Sequence, residues 1–430
     1  MVSFSKVNVF LLLVFLFFFT SAADLLHVEI IFLRAKLGHL IALCLGMFLF
    51  LQKKAIEIDK TLLLSFLFVL LSMGISAFYS PWETRSFTYV LVAILTFVLY
   101  FLIPYNLVEL LGKDLVWKLY KTAFIVTASL SCVQVASSIV GWKSLFSSQI
   151  LESSLSRGQA LAYEPSYFAL YMIPYVFYTN AKALFEGKAF LRLIIINGLL
   201  LVSTSTSAFF AYFIFGAVVL FIEPFFREKL MGRLLKISCL FSGMFFLLFF
   251  FFQDFFLETF WKFFRKGFMG HHSFVERLEG IQRGWRVFCE HPWFGVGVGG
   301  MDPTAYLDVY GGKEPFFLNN PTVEQFKEFE PTNVGTEILS SLGIVGTCFL
   351  LGFFLIYFRR ILSPFALKNL PQEERGELYA LFVSILVMLI VLQFNQNLFR
   401  SYVWIHLGFS LGVASEIQKK YVIFLGGAHA

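Results

Sequence analysis

Two stretches of the sequence carry residues that can hold an anion or accept a proton, each beside a long apolar run. The first reads RGQALAYEPSYFALY and begins at Arg157. Arg157 can grip an anion through its guanidinium group, and Glu164 can act as a general base. A salt bridge between Arg157 and Glu164 that orders the loop is an equal alternative. Because Pro165 disfavours helical geometry at Glu164, we expect its carboxylate at the mouth of the following helix.

The second stretch, SFVERLEGIQRGWRVFCEHPWFGVGVGG from Ser273, begins with the spacing of an amphipathic helix. Its apolar face comprises Leu278, Ile281, Trp285 and Phe288. Its charged face comprises Glu276, Glu279, Arg283, Arg286 and Glu290. The four-residue spacings from Glu279 to Arg283 and from Arg286 to Glu290 predict ordinary surface ion pairs.

Arg277 lies at the flank of this apolar face, beside Gly280 and Gly284. Glycines at these positions would leave room for a large ligand to reach the guanidinium group. That group can hold a phosphate through two hydrogen bonds, so Arg277 is a candidate phosphate ligand. The alternative is an arginine whose charged end reaches the membrane surface.

A glycine-rich segment follows the predicted helix. The helix is expected to stop at His291 and Pro292, and alternate glycines then occur at Gly295, Gly297 and Gly299. Such glycines allow a tight turn whose backbone amides can approach an anion or a substrate. The segment follows no predicted strand, so a nucleotide-binding fingerprint is not indicated.

These residues must be positioned by helices in a membrane. Hydrophobic residues make up 58% of the 430 residues and charged residues 14%, against about 25% charged in a soluble domain. Several runs reach the ~20 apolar residues that a spanning helix needs, and they lack the alternation of membrane strands. The sequence therefore predicts an all-α polytopic membrane protein with about twelve transmembrane helices. The predicted spans are 7–23, 37–51, 61–80, 87–105, 119–141, 166–181, 190–202, 206–222, 237–253, 335–358, 378–397 and 401–415.

Basic residues concentrate in the short connections on one side of these spans. The short connections on the other side hold only Arg34, Lys36, Arg85, Lys143, Arg157 and Arg400. The positive-inside rule therefore puts both termini in the cytoplasm and these six residues on the outer face. The chain is divided into transmembrane helices 1–9 (1–253), an extracytoplasmic amphipathic and glycine-rich catalytic loop (254–334), and helices 10–12 with a cytoplasmic tail (335–430).

Two details of this topology have alternatives. Residues 190–202 and 206–222 are either two short spans joined by the polar turn STSTS from Ser203, or a single kinked helix. The first span is either retained or a secretory signal, because Lys6 precedes its apolar core and TSAAD resembles a cleavage site.

The sequence indicates neither a metal site nor a cofactor. His271, His272 and His291 lack the spacing of metal ligands, and the five cysteines include no CxxC motif. The net charge of +6 comes mostly from the basic connections. It favours contact with anionic lipids and does not indicate nucleic acid binding.

Taken in order, the motifs resemble the O-antigen ligase and polymerase superfamily. The stretch from Ser273 is similar to its signature of an arginine, a Trp-rich helix, an acidic-His-Pro turn and GxGxG, and Arg277 matches the arginine. PTNVGTEILSSLGIVG resembles the next element, in which His-Asn opens a helix before a Gly-x-x-Gly pair. Asn333, Gly343 and Gly346 match it. STSTS is similar to a polar turn of the family, and YEPSYFALY to an outer-face motif of the polymerase branch.

The resemblance implies a metal-independent membrane glycosyltransferase of the bacterial inner membrane, with its active site on the outer face. It would transfer a glycan from polyprenyl pyrophosphate to the sugar end of another carrier-linked repeat unit. The implied catalytic residues are Arg157, Glu164 and Arg277. The implied substrate-binding residues are Arg283, Arg286, Arg400, His291, Gly295, Gly297, Gly299 and Asn333. The implied partners are the lipid-linked oligosaccharide, membrane lipids, and flippase and chain-length regulator proteins.

Two departures from the family pattern favour one branch over another. Thr332 stands where ligases carry histidine, and Ser341 stands where an acidic residue is usual. Together with the EPS motif, they favour a polymerase of O-antigen or exopolysaccharide. The alternatives are an O-antigen ligase that uses a lipid A-core or protein acceptor, and a lipid-linked sugar flippase. A flippase would more typically carry charges near the centre of its spans.

Overall fold

The computed structural model is mostly helical, with one short hairpin among the residues that it describes. These residues are 4–30, 33–53, 57–140, 158–186, 190–201, 203, 205–226, 272–310, 329, 332–367, 369–394 and 398–426. Strands β1 (His27–Ile30) and β2 (Leu33–Lys36) are antiparallel, with Glu29 opposite Arg34. The hairpin joins the first two helices.

Fourteen α-helices are described, and they follow the predicted spans closely. The first nine are α1 (Phe4–Thr20), α2 (Leu37–Lys53), α3 (Lys60–Ala77), α4 (Glu83–Thr96), α5 (Ile103–Leu111), α6 (Lys113–Ile139), α7 (Pro165–Glu186), α8 (Phe190–Leu201) and α9 (Thr206–Phe226). The others are α10 (His272–Glu290), α11 (Met301–Tyr310), α12 (Val334–Leu362), α13 (Gln372–Val391) and α14 (Ser401–Gly426). The predicted span 237–253 lies outside the described residues, and each of the other predicted spans overlaps a helix.

Five described helical segments are long and apolar enough to cross a bilayer. They are Lys60–Ala77, Glu83–Leu111, Lys113–Ser138, Val334–Ala366 and Gln372–Phe394. This confirms a mostly helical membrane protein. The full set of twelve spans stays a prediction. The break between α8 and α9 confirms a turn at STSTS and rules out the single kinked helix.

Aromatic side chains fill the centre of the bundle around an irregular turn. Residues Phe97–Leu102 form a π-helical turn between α4 and α5. Pro104 follows it, and a wider turn suits a proline because the proline has no N–H to donate to the preceding turn. The Phe66 and Phe97 rings stack with their centres 4.0 Å apart, and Trp404 packs edge-on against both. This aromatic core joins α3, the π-helical turn and α14.

Charged side chains gather into two groups at opposite ends of the helices. At one end, Lys113 contacts Glu377 near the start of α13, and Lys419 contacts Glu109 at 2.9 Å. The other end contains the ion pairs Arg85–Asp302 and Arg400–Asp24, described below. Residues predicted on the same side of the membrane thus lie together. Which end faces the cytoplasm stays a prediction.

Helix α1 is an integral part of the bundle. Phe17 and Phe18 are fully buried, and the Phe18 ring stacks on Tyr120 of α6 with 4.5 Å between ring centres. The Ser401 hydroxyl donates a 2.8 Å hydrogen bond to the Ser21 carbonyl, which ties the end of α1 to the start of α14. The retained first span stays a prediction.

Candidate functional site

Helix α12 is interrupted at Gly343, and donors from another segment fill the break. Gly343 has φ 61° and ψ −169°, a backbone conformation that only glycine adopts readily. The amide of Val296 donates to the Ser340 carbonyl at 2.9 Å, and the amide of Gly297 donates to the Ser341 carbonyl at 3.0 Å. Both carbonyls thereby regain partners near the break.

The same segment also supplies acceptors. The amide of Ile344 donates to the Pro292 carbonyl at 2.8 Å, and the amide of Val345 donates to the Trp293 carbonyl at 3.2 Å. Residues 292–297, which we call the inserted segment, thus provide four hydrogen bonds around the break. Such compensation is required where backbone polar groups are shielded from water.

The alternate glycines allow the inserted segment and its continuation to pack tightly. Gly295, Gly297 and Gly299 have φ values of 67°, 78° and 77°. A Cβ atom at Gly295 would overlap the Ser340 carbonyl, and one at Gly299 would overlap the Tyr89 ring. The amides of Gly295 and Gly297 donate to the carbonyls of His291 and Ser341, so these two amides are used within the fold. The three glycines join the loop to α4 and α12.

A buried ion pair holds the chain just beyond the glycines. Arg85 Nη1 lies 2.8 Å from Asp302 Oδ2, and both side chains are buried. Arg85, expected in an outer loop, lies in the first turn of α4, and Asp302 lies in the first turn of α11. The Arg85 guanidinium carbon is also 5.2 Å from the centre of the Trp82 ring. This ion pair attaches α11 to the membrane helices.

Helix α10 packs its glycines against the start of α12, so the space expected beside Arg277 is filled. A Cβ atom at Gly280 would overlap Thr332, and one at Gly284 would touch Thr336. The Thr332 hydroxyl donates a 3.0 Å hydrogen bond to the Arg277 carbonyl. Arg277 itself is half-buried. The two glycines therefore permit close helix packing. The space that the sequence predicted for a ligand beside them is occupied by Thr332 and Thr336.

The buried face of α10 is also different from the predicted apolar face. Val287, next to the glycine face, is buried, whereas Trp285 is 53% exposed. Leu278, Ile281 and Phe288 are only partly buried. The predicted apolar face thus lies away from the helix that α10 packs on, as expected of a surface that meets a membrane.

The charged face of α10 does not form its predicted ion pairs. Within the described residues, neither Glu279–Arg283 nor Arg286–Glu290 is paired, and Arg286 is exposed. The Arg283 guanidinium carbon lies 5.5 Å from the centre of the Phe329 ring. His291, directly after the helix, is exposed.

Arg400 lies in a cluster of charged and aromatic side chains that the sequence patterns did not bring together. Its guanidinium carbon is 3.4 Å from the centre of the Tyr167 ring, and Nη1 is 3.8 Å from Asp24 Oδ2. Asp24 also forms an ion pair with Lys36. Arg400 Nε is buried without a hydrogen-bond partner in the described part of the chain. We call Asp24, Lys36, Tyr167 and Arg400 the Arg400 cluster.

The loop that carries Glu164 is anchored beside this cluster. The Gln134 side chain of α6 accepts hydrogen bonds from the amides of Gln159 and Ala160, at 3.2 and 2.8 Å. Glu164 is half-buried just before α7, and Oε2 accepts a 3.1 Å hydrogen bond from the Ser166 hydroxyl. Tyr167 follows within the first turn of α7. Arg157 lies outside the described residues. Its predicted salt bridge with Glu164 therefore stays a prediction.

Asn333 begins α12 and ties it to the end of α13. Its side-chain oxygen accepts a 2.9 Å hydrogen bond from the amide of Thr336, as an N-cap residue does. Its amide nitrogen donates to the Gln393 carbonyl at 2.6 Å, and the Gln393 side chain accepts from the amide of Gly335. The observed role of Asn333 is helix capping.

The Arg400 cluster makes the stability of the protein sensitive to acid. Burial raises the pKa of Asp24, but Lys36 and Arg400 outweigh this effect and keep the pKa below its usual value. A lowered folded-state pKa stabilises the protein above about pH 4, and the contribution is lost as the pH falls through that pKa.

We therefore expect Asp24→Asn to destabilise the protein at pH 7 by up to roughly 3 to 5 kcal/mol, because the mostly buried Arg400 and the partly exposed Lys36 lose their counter-charge. The difference in stability from the parent protein should narrow as the pH falls from about 4 through the lowered pKa of Asp24, where the carboxylate of the folded protein becomes neutral. Thermal unfolding of detergent-purified protein from pH 3 to 7 measures this. Asp114→Asn is the matched control, because its side chain is 94% exposed. A pH-independent gap for Asp24→Asn would contradict the prediction.

The fold and this site define a helical membrane protein in which the segment that follows α10 is built into the break of α12. Residues 191–351 match the family model described as O-antigen ligase, which confirms the resemblance to the O-antigen ligase and polymerase superfamily. The match supports a glycosyltransferase-like activity of the ligase or polymerase type. It includes α10 and the break in α12, whereas Glu164 and Arg400 lie outside it. No curated protein matches the chain.

Proposed function

We propose that the protein polymerises a surface polysaccharide, O-antigen or exopolysaccharide. It transfers a glycan from polyprenyl pyrophosphate to the sugar end of another polyprenyl-linked repeat unit. The observation that carries this proposal is the Arg400 cluster, where a buried guanidinium group and Lys36 lie beside the loop of Glu164. Cations at this position can stabilise the charge that develops on the departing lipid pyrophosphate.

The proposed site combines this cluster with residues of the outer loop. Arg157 and Arg277 supply further cations for the pyrophosphate, and Arg283, Arg286 and His291 bind more distant parts of the glycan. Glu164 either acts as a base or orders the loop through Arg157. Asn333 and the glycines of the inserted segment hold the two parts of the site together.

The proposed setting is the bacterial inner membrane. The protein would have twelve transmembrane helices, cytoplasmic termini and an active site on the outer face. The separation of charged residues into two end groups supports this arrangement. A flippase that delivers the repeat unit and a chain-length regulator are the proposed partners. No metal or cofactor is invoked.

The ligase is the second candidate, because the matching family model carries that description. Thr332, at the position where ligases have histidine, donates its hydroxyl to the Arg277 carbonyl and serves helix packing, which supports the polymerase. The glycan phenotype of a deletion strain distinguishes the two. Single repeat units capped onto lipid indicate a lost polymerase, and long chains left on polyprenol indicate a lost ligase.

Arg277→Ala is expected to lower turnover at least about tenfold. Charge-assisted hydrogen bonds contribute roughly 1.5 to 3 kcal/mol each, and ~1.4 kcal/mol corresponds to a factor of ten. The assay is chain extension of purified lipid-linked repeat units in nanodiscs, at equal folded amounts. Arg277→Lys should rescue activity only partly, because it lacks the planar fork. Full activity of Arg277→Ala would remove this residue from the site.

A further inference from the structure

A small cavity lies between α3, α12 and the chain that leads to Arg400. Apolar side chains form most of its wall: Phe66, Met73, Leu342, Leu350, Phe399 and Trp404. Val298, just after the inserted segment, closes one side. Phe399 of this wall directly precedes Arg400 in the chain.

Two polar side chains of α12 also line this cavity. Glu337 is the only charged residue among the described residues of its wall, and it lies in the first turn of the helix. Ser341 lies four residues later on the same face. The Ser341 hydroxyl is buried and has no hydrogen-bond partner among the described residues. An unpaired hydroxyl in an apolar wall indicates a missing polar partner, because burying it alone is costly.

The size and charge of the cavity determine which chemical group it can hold. Its volume of about 20 Å³ holds one hydroxyl group or water molecule, and a sugar ring would have to stay at the mouth. A carboxylate repels a pyrophosphate and accepts a hydrogen bond from a hydroxyl group. The cavity therefore suits an acceptor hydroxyl and does not suit the donor's phosphates.

We propose that Glu337 is a catalytic residue, the carboxylate that receives the proton of the acceptor hydroxyl, with Ser341 holding the same oxygen. The inference rests on the proposed glycosyl transfer. The acceptor oxygen forms a bond to the anomeric carbon of the donor sugar, and the bond from that carbon to the pyrophosphate oxygen breaks. The electron pair leaves with the pyrophosphate, and the hydroxyl proton passes to Glu337 and then to water. If Glu337 is the base, the role of Glu164 is to order the loop beside the Arg400 cluster.

The test compares Glu337→Gln with Glu337→Asp, Ser341→Ala and the exposed control Glu83→Gln, at the same end of the bundle. The probe is the lipid-linked repeat unit isolated from the deletion strain. Loss of a general base lowers turnover by about 100-fold or more, so Glu337→Gln should show this drop and lose the acid limb of the pH–rate profile. Its equilibrium binding of the labelled repeat unit should stay within about twofold of the parent. Glu337→Asp should be intermediate and keep the acid limb, and Glu83→Gln should match the parent.

Each outcome is decisive. If Glu337→Gln retains the parent rate or the acid limb, the assignment is wrong. If Glu337→Gln does not fold, Ser341→Ala provides the answer, because a severalfold loss of turnover with unchanged repeat-unit binding supports the cavity and an unchanged rate overturns it. If the parent protein extends no chain from the repeat unit, the proposed function fails, which is distinct from the failure of Glu337 alone.

Discussion

Replacing Gly343 with alanine is expected to lower the free energy of unfolding by at least about 3 kcal/mol. The glycine has φ 61° and ψ −169°, where a side chain is strained. A Cβ atom there would also overlap the backbone carbonyl of Trp293 and the amide of Phe294. Relief of that overlap must separate the inserted segment from α12, which exposes the four hydrogen bonds around the break.

Gly352→Ala is the matched control, because Gly352 lies in the same helix and no other segment of the described residues comes within 4 Å of a Cβ at this position. Alanine there should be neutral or stabilising by up to ~1 kcal/mol. Thermal unfolding and the yield of monodisperse protein in detergent measure both variants. Equal behaviour of the two would show that the break in α12 does not depend on Gly343.

Arg400→Ala is expected to reduce chain extension by at least about 100-fold, since two charge-assisted hydrogen bonds to the pyrophosphate are worth roughly 3 to 6 kcal/mol together. Packing of Arg400 over Tyr167 fixes the plane of the guanidinium group before substrate arrives, so little ordering is left to occur on binding. Lys36 remains as a partner for Asp24 in the variant. The loss of activity, expressed as a free energy, should therefore exceed the loss in the free energy of unfolding.

The measurement is turnover of the lipid-linked repeat unit in nanodiscs, normalised to folded protein. Arg400→Lys should recover only part of the activity, because an ammonium group cannot stack on Tyr167 with a planar fork. Arg360→Ala is the control, as this partly exposed arginine pairs with Asp59 at 2.7 Å at the other end of the bundle. An exposed pair of this kind is worth under about 1 kcal/mol. Comparable losses in Arg400→Ala and Arg360→Ala would remove Arg400 from the substrate site.

Features that depend on neighbours along the chain could be read from the sequence. A span of ~20 apolar residues reports a membrane helix regardless of its packing. The bounds of α2, α8 and α9 accordingly lie close to the predictions. The helix at His272–Glu290 and its stop before Pro292 follow from local periodicity and turn chemistry. The motif order from Arg277 to Gly346 was sufficient to indicate the superfamily.

Features that depend on distant contacts were decided only by tertiary structure. The amphipathic pattern of α10 identified Trp285 on an apolar face, yet in a membrane protein that face can meet lipid while the glycines pack against protein. Glu337 had no local signal, because its significance comes from a cavity formed by α3, α12, Val298 and the chain before α14. Asp24 and Arg400 lie 376 positions apart in the sequence but in one cluster, and no spacing rule reaches that far. A short-range pattern specifies each helix, whereas the meeting of charged groups from different helices depends on how the whole bundle packs.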